Sequence, residues 1–226
     1  MKFVAINGSP HGLKGNTGKL LTSFIAAAED QGAKVQTFNL HEYSIHPCRG
    51  CEVCSKTGTC AIRDDVAEIQ DAMRGSDGII LASPNYMMNV SGQMKVFLDR
   101  IFSNVHCQTM FGKHGAVVVT AAGPVYECVE NYLLDILGFL GCWKVCSTGA
   151  AALQMEDPEE CERLVEEAAQ QGRVFARAVK SGTTYPEQEE KRQMVFDMMQ
   201  MMVQARKDAW AYEYGYWKSR WGIDTE

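Results

Sequence analysis

Apolar and polar residues follow two different spacing patterns along most of this chain. Short, fully apolar runs predict strands, and longer segments with apolar residues three or four positions apart predict helices. The predicted strands are residues 2–7, 34–40, 78–82, 116–121 and 143–147. Because segments with helical spacing separate these strands, the pattern predicts a parallel sheet that is covered on both faces.

Start and stop residues mark several of the predicted helices. Helices are predicted over residues 16–31, 91–105 and 126–140. Ser91 is expected to cap the second of these, since a serine side chain accepts hydrogen bonds from the first turn of a helix. Asp64 and Asp65 predict a helix start, because acidic side chains stabilise the positive end of a helix. Asp157 followed by Pro158 predicts another helix, which ends near residue 180.

Five strands with intervening helices indicate a doubly wound, three-layer α/β sandwich. In this architecture ligands bind beyond the carboxyl ends of the strands. The segments that follow those ends are residues 8–17, 41–60, 83–90, 122–126 and 148–155. Side chains from these segments are therefore expected at one edge of the sheet.

Charge and composition exclude several classes of function. The chain has 226 residues and a net charge of −6, with 28 acidic and 22 basic residues and no basic run, so we expect no nucleic-acid binding. No apolar run reaches the roughly 18 residues that a membrane span needs, and Met1-Lys2 leads directly into a predicted strand. We therefore expect a cytoplasmic protein without membrane contact. Of its nine cysteines, those that are clustered are expected to serve metal or redox chemistry rather than disulfides.

The segment between the first predicted strand and helix combines glycines with short polar side chains. It reads Gly8-Ser9-Pro10-His11-Gly12-Leu13-Lys14-Gly15-Asn16-Thr17-Gly18. Glycines let backbone N–H groups approach an anion, and the helix start adds its dipole. The segment is not a nucleotide P-loop, because its spacing is one residue too long and Leu20 replaces the magnesium-binding Ser or Thr, and it contains no G-x-G-x-x-G. It is either a phosphate loop or an ordinary glycine-rich turn.

Two motifs in the first 150 residues resemble the NAD(P)H-dependent FMN reductases, a flavodoxin-like family. One is Gly8-Ser9-Pro10 with Gly15-Asn16-Thr17, and the other is Ser83-Pro84-Asn85-Tyr86 followed by Ser91-Gly92-x2-Lys95 and Asp99-Arg100. The resemblance implies a flavodoxin-like sandwich with a five-stranded parallel sheet. It also implies FMN, whose phosphate would be held by Ser9, His11, Asn16, Thr17 and Gly18. The flavin ring would lie against Pro84, Asn85, Tyr86 and Met87 and be edged by Thr120, Ala122 and Gly123.

A cluster of cysteines lies in residues 47–61, after the second predicted strand. Its spacing is Cys48-x2-Cys51-x2-Cys54-x5-Cys60. Thiolates this close together in a loop are typical of iron–sulfur ligation. Zinc binding, a redox dithiol formed by Cys51 and Cys54, and a loop that keeps its cysteines without a metal are the alternatives.

The cysteine spacing is also similar to that of the iron–sulfur flavoproteins, a branch of the same family. The resemblance implies a [4Fe–4S] cluster held by Cys48, Cys51, Cys54 and Cys60. In contrast, the adjacent pair Asp99-Arg100 is interpreted as a salt bridge at the surface or at an interface rather than as a catalytic pair.

Residues 183–226 differ in composition from the domain predicted for residues 1–182. Residues 183–190 resemble a linker, after which apolar residues recur at helical spacing: Met194, Val195, Met198, Met199, Met202 and Val203. An aromatic tail follows, with Trp210, Tyr212, Tyr214, Tyr216, Trp217 and Trp221. We predict a helical extension that mediates a homodimer or homotetramer, since methionine suits an adaptable interface.

These observations predict an FMN-dependent oxidoreductase that passes electrons between a reduced donor, FMN and a cluster. The expected donor is NAD(P)H or ferredoxin, and quinone is an expected acceptor. Two alternatives remain open: an NAD(P)H-dependent FMN or quinone reductase without a cluster, and a non-catalytic flavodoxin-like electron carrier. No residue is assigned as a catalytic acid or base, because the redox chemistry belongs to the cofactors.

Overall fold

Five parallel strands form the centre of the protein, as predicted. The computed structural model describes residues 1–223. The strands are β1 (Lys2–Asn7), β2 (Lys34–Asn39), β3 (Gly78–Tyr86), the two-residue β4 (Asn89–Val90), β5 (His114–Ala121) and β6 (Trp143–Ala151). The parallel strands lie in the order β2-β1-β3-β5-β6, while β4 folds back antiparallel onto the end of β3.

Ten α-helices connect and extend these strands within residues 1–223. They are α1 (Asn16–Asp30), α2 (Val53–Thr57), α3 (Val66–Arg74), α4 (Gly92–Arg100), α5 (Phe102–His106), α6 (Glu127–Phe139), α7 (Ala152–Glu156), α8 (Pro158–Ser181), α9 (Pro186–Ala205) and α10 (Ala211–Trp221). Ser91 caps α4 as predicted, because its side chain accepts a hydrogen bond from the Met94 N–H. The single helix predicted over 91–105 is wrong, since the chain leaves helical geometry at Ile101 and α4 and α5 are separate.

The sheet separates two apolar cores. Successive residues of β3 point to opposite faces: Ile79 and Leu81 pack beneath α3, α4 and α6, while Ile80 and Ala82 pack beneath α1 and α8. Burial on both faces explains why these strands read as continuous apolar runs rather than as alternating patterns.

Two strands extend four residues beyond their predicted ends. β3 reaches Tyr86 because residues 85–86 pair with β4, and β6 reaches Ala151 because it stays in register with β5 up to Ala121. The tight β3–β4 turn places Met87 and Met88 at φ 51° and 62°, in the left-handed region. The longer strands carry the adjoining loops further beyond the sheet edge.

The C-terminal extension packs on its own chain through a third apolar cluster, formed by Val195, Met199, Val203, Trp210 and Trp217. This cluster uses only one side of the predicted apolar stripe. Met194, Met198 and Met201, on another side of α9, are exposed. The predicted boundary at 182/183 falls between α8 and α9, and residues 224–226 of the predicted extension lie outside the described residues. No helix within residues 1–223 is long and apolar enough to cross a membrane.

Candidate functional site

The loop after β1 turns back on itself through short-range hydrogen bonds. The Ser9 N–H donates to Asn7 Oδ1 at 3.0 Å, and the His11 N–H donates to Ser9 Oγ at 3.3 Å. Gly15 precedes α1 in an extended conformation, and no side chain among the described residues caps this helix start. The first N–H groups of α1 are therefore free of side-chain acceptors, which is the arrangement that binds a phosphate.

Gly18 lies in the first turn of α1, where the helix passes close to the loop backbone. A Cβ atom on Gly18 would lie 2.6 Å from the carbonyl oxygen of Gly12 and closer still to the backbone of Leu13. Only a glycine lets the helix start approach the loop this closely. The tight packing fixes the position of the N–H groups at the start of α1.

Two hydroxyl contacts join the segment from Gly8 to the start of α1 to Ser91, which caps α4, and to Thr120, near the end of β5. Ser91 Oγ donates to the carbonyl oxygen of Gly8 at 2.6 Å, and the Ser91 N–H donates to Ser83 Oγ at 3.0 Å. Thr17 Oγ1 and Thr120 Oγ1 share a buried hydrogen bond of 2.6 Å. Because β1, β3 and β5 are neighbours in the sheet, these contacts join the predicted phosphate and ring segments into one structure.

The segment predicted to line a flavin ring is open to solvent. Tyr86 is 46% exposed and Met87 is 97% exposed. Asn85 Nδ2 donates to the carbonyl oxygen of Val125 in the loop after β5. Asn85 Oδ1 is buried and has no hydrogen-bond partner among the described residues. It is therefore a buried acceptor at this edge without a partner in residues 1–223.

The residues predicted to bind FMN differ in their exposure to solvent. Ser9, Thr17, Gly18, Pro84 and Thr120 are buried, Asn85 and Gly123 are partly buried, and His11, Asn16, Tyr86, Met87 and Ala122 are exposed. Buried members hold the loops in place, and exposed members are accessible to a ligand. An uncapped helix start and an unpartnered acceptor fit the phosphate and the ring of FMN, while the individual ligand assignments stay predictions.

We expect Thr17→Val to destabilise the protein by about 1–3 kcal/mol, because it leaves the buried Thr120 hydroxyl without its partner. Thr120→Val should cost a similar amount. The double variant should cost less than the sum of the two, since it leaves no unpaired hydroxyl in this pair. Urea unfolding of the four proteins measures the coupling, and additive costs would contradict a direct Thr17–Thr120 hydrogen bond.

The four clustered cysteines occupy one loop at the β2 end of the sheet. Cys48 and Cys51 are exposed, whereas Cys54, on α2, and Cys60 are partly buried, and all four are free thiols. In the described part of the chain, no group of three or more His, Cys, Asp or Glu side chains is arranged to hold a metal ion. Metal ligation by these cysteines therefore stays a prediction.

Hydrogen-bond donors already surround two of these sulfur atoms. The Gly50 N–H donates to Cys48 Sγ at 3.4 Å, and the Ile62 N–H donates to Cys60 Sγ at 3.4 Å. Arg100 Nη2 also donates to Cys60 Sγ, at 3.3 Å. Donors of this kind stabilise thiolates and tune iron–sulfur clusters. With four thiols in one loop, this donor set fits a [4Fe–4S] cluster chemically.

Arg100 connects both ends of the cysteine loop. Its Nη1 donates to the carbonyl oxygen of His46 at 2.6 Å and to Asp64 Oδ2 at 2.6 Å, and its Nη2 donates to Asp64 Oδ1 at 3.0 Å. The side chains of Arg100 and Asp64 are each 1% exposed. The interpretation of Arg100 as a surface salt bridge is therefore wrong, and Asp99 instead pairs with Lys95 on the outer face of α4.

This pairing controls the charge of both partners. Burial alone would raise the pKa of the Asp64 carboxyl, but hydrogen bonds from Arg100 and from the His46 N–H hold that pKa below its ordinary value. Burial also opposes the charge of Arg100, yet its hydrogen bond to Asp64 and the nearby Cys60 raise its pKa. A charged pair therefore lies beneath the cysteine loop.

The C-terminal extension covers the cysteine loop. Trp210 Nε1 donates to Glu52 Oε2 at 3.1 Å, and Arg206 Nη1 contacts Glu52 Oε1 at 3.2 Å. The Tyr212 ring lies against Gly58, where an added Cβ would be 2.6 Å from Tyr212 Cδ2. Gly58 also has a φ of 79°, which favours glycine. The aromatic tail thus contacts the loop directly within one chain.

Sequence patterns alone missed the residues beneath the cysteine loop. Arg100 lies three positions after Phe97, which is buried on α4. This helical phase was an available signal that Arg100 faces inward. Its partner Asp64 lies 36 positions earlier in the chain, and no local pattern connects the two. Asn104, Tyr212 and Tyr216 were likewise not predicted to surround the loop.

Comparison with known proteins defines the class to which this fold and site belong. Residues 1–155 match the family described as NADPH-dependent FMN reductase. The chain belongs to this family, and it is an FMN-dependent oxidoreductase with a flavodoxin-like fold.

Within the family, the chain is similar to proteins named iron-sulfur flavoprotein. One, from Archaeoglobus fulgidus, is 34% identical over 183 residues, covering 80% of this chain and 81% of that protein. Another, from Methanocaldococcus jannaschii, is 41% identical over 100 residues, which cover 44% of this chain and about half (51%) of that protein. The predicted family and branch are therefore confirmed.

A solved structure supports the fold. The structure of a flavodoxin from the domain Archaea superposes with a TM-score of 0.54 at 15% identity, covering 80% of this chain and 99% of that protein. At this identity the similarity shows the fold alone.

Proposed function

We propose that this protein is an electron-transfer flavoprotein that holds FMN on the loops after β1, β3 and β5 and a [4Fe–4S] cluster on the cysteine loop. The observation that carries the proposal is the donor arrangement around Cys60, whose sulfur accepts from a backbone N–H and from the buried Arg100. A buried arginine directed at a sulfur suits a thiolate ligand. The names of the relatives from Archaeoglobus and Methanocaldococcus support the same proposal.

The chain's own residues would bind and orient the flavin. The N–H groups at the start of α1 would hold the phosphate, with Ser9, His11, Asn16 and Thr17 adding side-chain donors. Asn85 Oδ1 would accept a hydrogen bond at the ring, because it is buried and lacks a partner among the described residues. Bound FMN supplies the hydride and one-electron chemistry, which the protein directs through placement and electrostatics.

The cysteine loop would serve single-electron exchange with a partner. Cys48 and Cys51 are exposed, so the outer side of the loop is accessible to another redox protein. A reduced ferredoxin suits this side, whereas NAD(P)H would react at the open ring segment near Met87. Quinone is the proposed small acceptor.

Anaerobic purification followed by cofactor analysis tests the proposed function. We expect one FMN per chain, about four iron and four sulfide per chain, and broad absorption near ~420 nm beside the flavin bands. Cys54→Ser should remove iron and sulfide and keep the FMN, which makes it a matched control for the flavin site. Flavin without iron in the anaerobic wild-type protein would reject the cluster and leave a cluster-free FMN or quinone reductase. Lack of NAD(P)H oxidation combined with reduction by ferredoxin would identify an electron carrier.

We also propose that α9 mediates a homodimer or homotetramer. Met194, Met198 and Met201 form an apolar face that is exposed among residues 1–223. Light scattering measures the mass directly, and a monomer at working concentration would contradict this assembly.

A further inference from the structure

A cavity of about 150 Å³ lies beneath the cysteine loop, between that loop and helices α3, α5 and α10. Cys54 and Cys60 line its upper side, and Tyr212 and Tyr216 of α10 line another. The cavity is therefore bounded by two of the four clustered thiols and by the C-terminal extension.

Polar atoms without partners concentrate around this cavity. Arg100, Asn104 and Thr109 line the cavity. Their Nε, Nδ2 and Oγ1 atoms, respectively, are buried and have no hydrogen-bond partner among residues 1–223. Two of these atoms, Arg100 Nε and Asn104 Nδ2, are N–H donors. Leaving a buried donor unpaired is unfavourable, so both are suited to an acceptor that enters the cavity from the side of the thiols.

Each charged side chain described around the cavity has a hydrogen-bond partner. Arg100 Nη2 donates to Cys60 Sγ. The Asp64 carboxylate accepts hydrogen bonds from both Nη1 and Nη2 of Arg100. Arg74 also lines the cavity and donates to Asn104 Oδ1 at 3.2 Å. Glu213 is the nearby buried carboxylate, and its Oε2 is bound to His106 Nδ1 at 3.0 Å. Arg100 therefore contacts the Cys60 sulfur, Asn104 lines the same cavity as Cys54 and Cys60, and the Asp64 charge is paired to Arg100.

We propose that Arg100 is a positioning residue that holds the two ends of the cysteine loop together and, with Asn104, forms the donor shell that sets the reduction potential of the loop's metal centre. This inference rests on the proposed function. Reduction of a [4Fe–4S] cluster held by this loop would add one electron, and hence one negative charge, beside the four cysteine sulfur atoms. Donors at Cys60 and in the cavity stabilise the added charge, so they make reduction more favourable.

Arg100→Lys is the main test, because lysine keeps a positive charge beside Asp64 but cannot bind His46, Asp64 and Cys60 together. In the anaerobically prepared holoprotein, we expect reduction of the metal centre to become about tenfold less favourable, a shift of about 59 mV to more negative potential. Asn104→Ala should shift the potential in the same direction without disturbing Asp64. Redox titration followed by electron paramagnetic resonance measures both.

The same substitution on another helix provides the control. Arg163→Lys changes an exposed arginine on α8, which covers the opposite face of the sheet, and should leave the potential unchanged. Unchanged potentials in Arg100→Lys and Asn104→Ala, in protein that carries its full iron content, would overturn the tuning role.

We call the contacts by which Arg100 holds the two ends of the cysteine loop together the clamp. A measurement on the metal-free protein tests the clamp independently of the proposed function. Hydrogen exchange on the metal-free protein should become at least about tenfold faster in residues 44–48 and 60–64 of Arg100→Lys, because the His46 N–H donates to Asp64 Oδ2. Unchanged exchange there would overturn the clamp. If the wild-type protein binds no iron but Arg100→Lys still shows this acceleration, the cluster is rejected and the clamp is kept.

Discussion

Gly18→Ala is expected to weaken FMN binding by about 100-fold, which corresponds to about 2.7 kcal/mol. The added methyl group would meet the backbone of Gly12 and Leu13, and no rotation of a side chain relieves a clash with backbone. Either the start of α1 or the loop must move, and either movement displaces the N–H groups proposed to hold the phosphate. Fluorescence titration of the flavin-free protein with FMN measures the loss.

Gly92→Ala is the matched control for this substitution. Gly92 also lies at a helix start, at the beginning of α4, but an added Cβ has no atom within 4 Å there. We expect its FMN affinity and its unfolding temperature to stay close to wild type. Binding by Gly18→Ala within about threefold of wild type, less than 1 kcal/mol, would contradict the phosphate-loop assignment.

The sequence predicted those parts of the fold that depend on local patterns. Strands buried on both faces are continuous apolar runs, so all five parallel strands were located, and their alternation with helices predicted the parallel sheet. The loop after β1 was recognisable because its glycines and polar residues occur together within eleven positions, Gly8 to Gly18. Its hydroxyl contact to Thr120 was not predicted, because it depends on the order of β1, β3 and β5 in the sheet.

The parts that were missed depend on tertiary contacts. The ends of β3 and β6 are set by pairing with β4 and β5, which no property of residues 83–86 or 148–151 reveals. The composition of the aromatic tail predicted an apolar surface but not the residues that it contacts. Trp210 donates a hydrogen bond to Glu52, which lies 158 positions earlier in the chain. The cover over the cysteine loop therefore comes from a region beyond residues 1–155, the part that matches the family.

This arrangement suggests a division of roles along the chain. The central strands and their loops form the proposed flavin edge, and they lie within residues 1–155, which match the family. The cysteine loop lies beside this edge, after β2, and is held from below by Arg100 on α4 and covered by α10. Partial shielding by Tyr212 and Trp210 would lower the local dielectric around the loop and strengthen each hydrogen bond to sulfur.

Asp64→Ala is expected to destabilise the protein by about 3–5 kcal/mol, the cost of leaving a buried charge without its partner. Both side chains of the pair are 1% exposed, so solvent does not replace the lost carboxylate. The substitution also removes the acceptor of the His46 N–H, which loosens the start of the cysteine loop. Urea unfolding of the metal-free protein measures the loss of free energy.

Asp99→Ala tests the interpretation that the sequence suggested, in which Asp99 and Arg100 form a salt bridge. Asp99 is adjacent to Arg100 in the chain, yet it pairs with Lys95 in a bridge whose side chains are each 48% exposed. Removing an exposed partner of this kind costs about 0–1 kcal/mol, because water solvates the charge that remains. A large loss for Asp99→Ala with a small loss for Asp64→Ala would reverse the assignment of the Arg100 partner. The contrast matters because, of these two pairs, the buried one joins α4 to the end of the cysteine loop, so its loss is the one expected to reach the proposed metal centre.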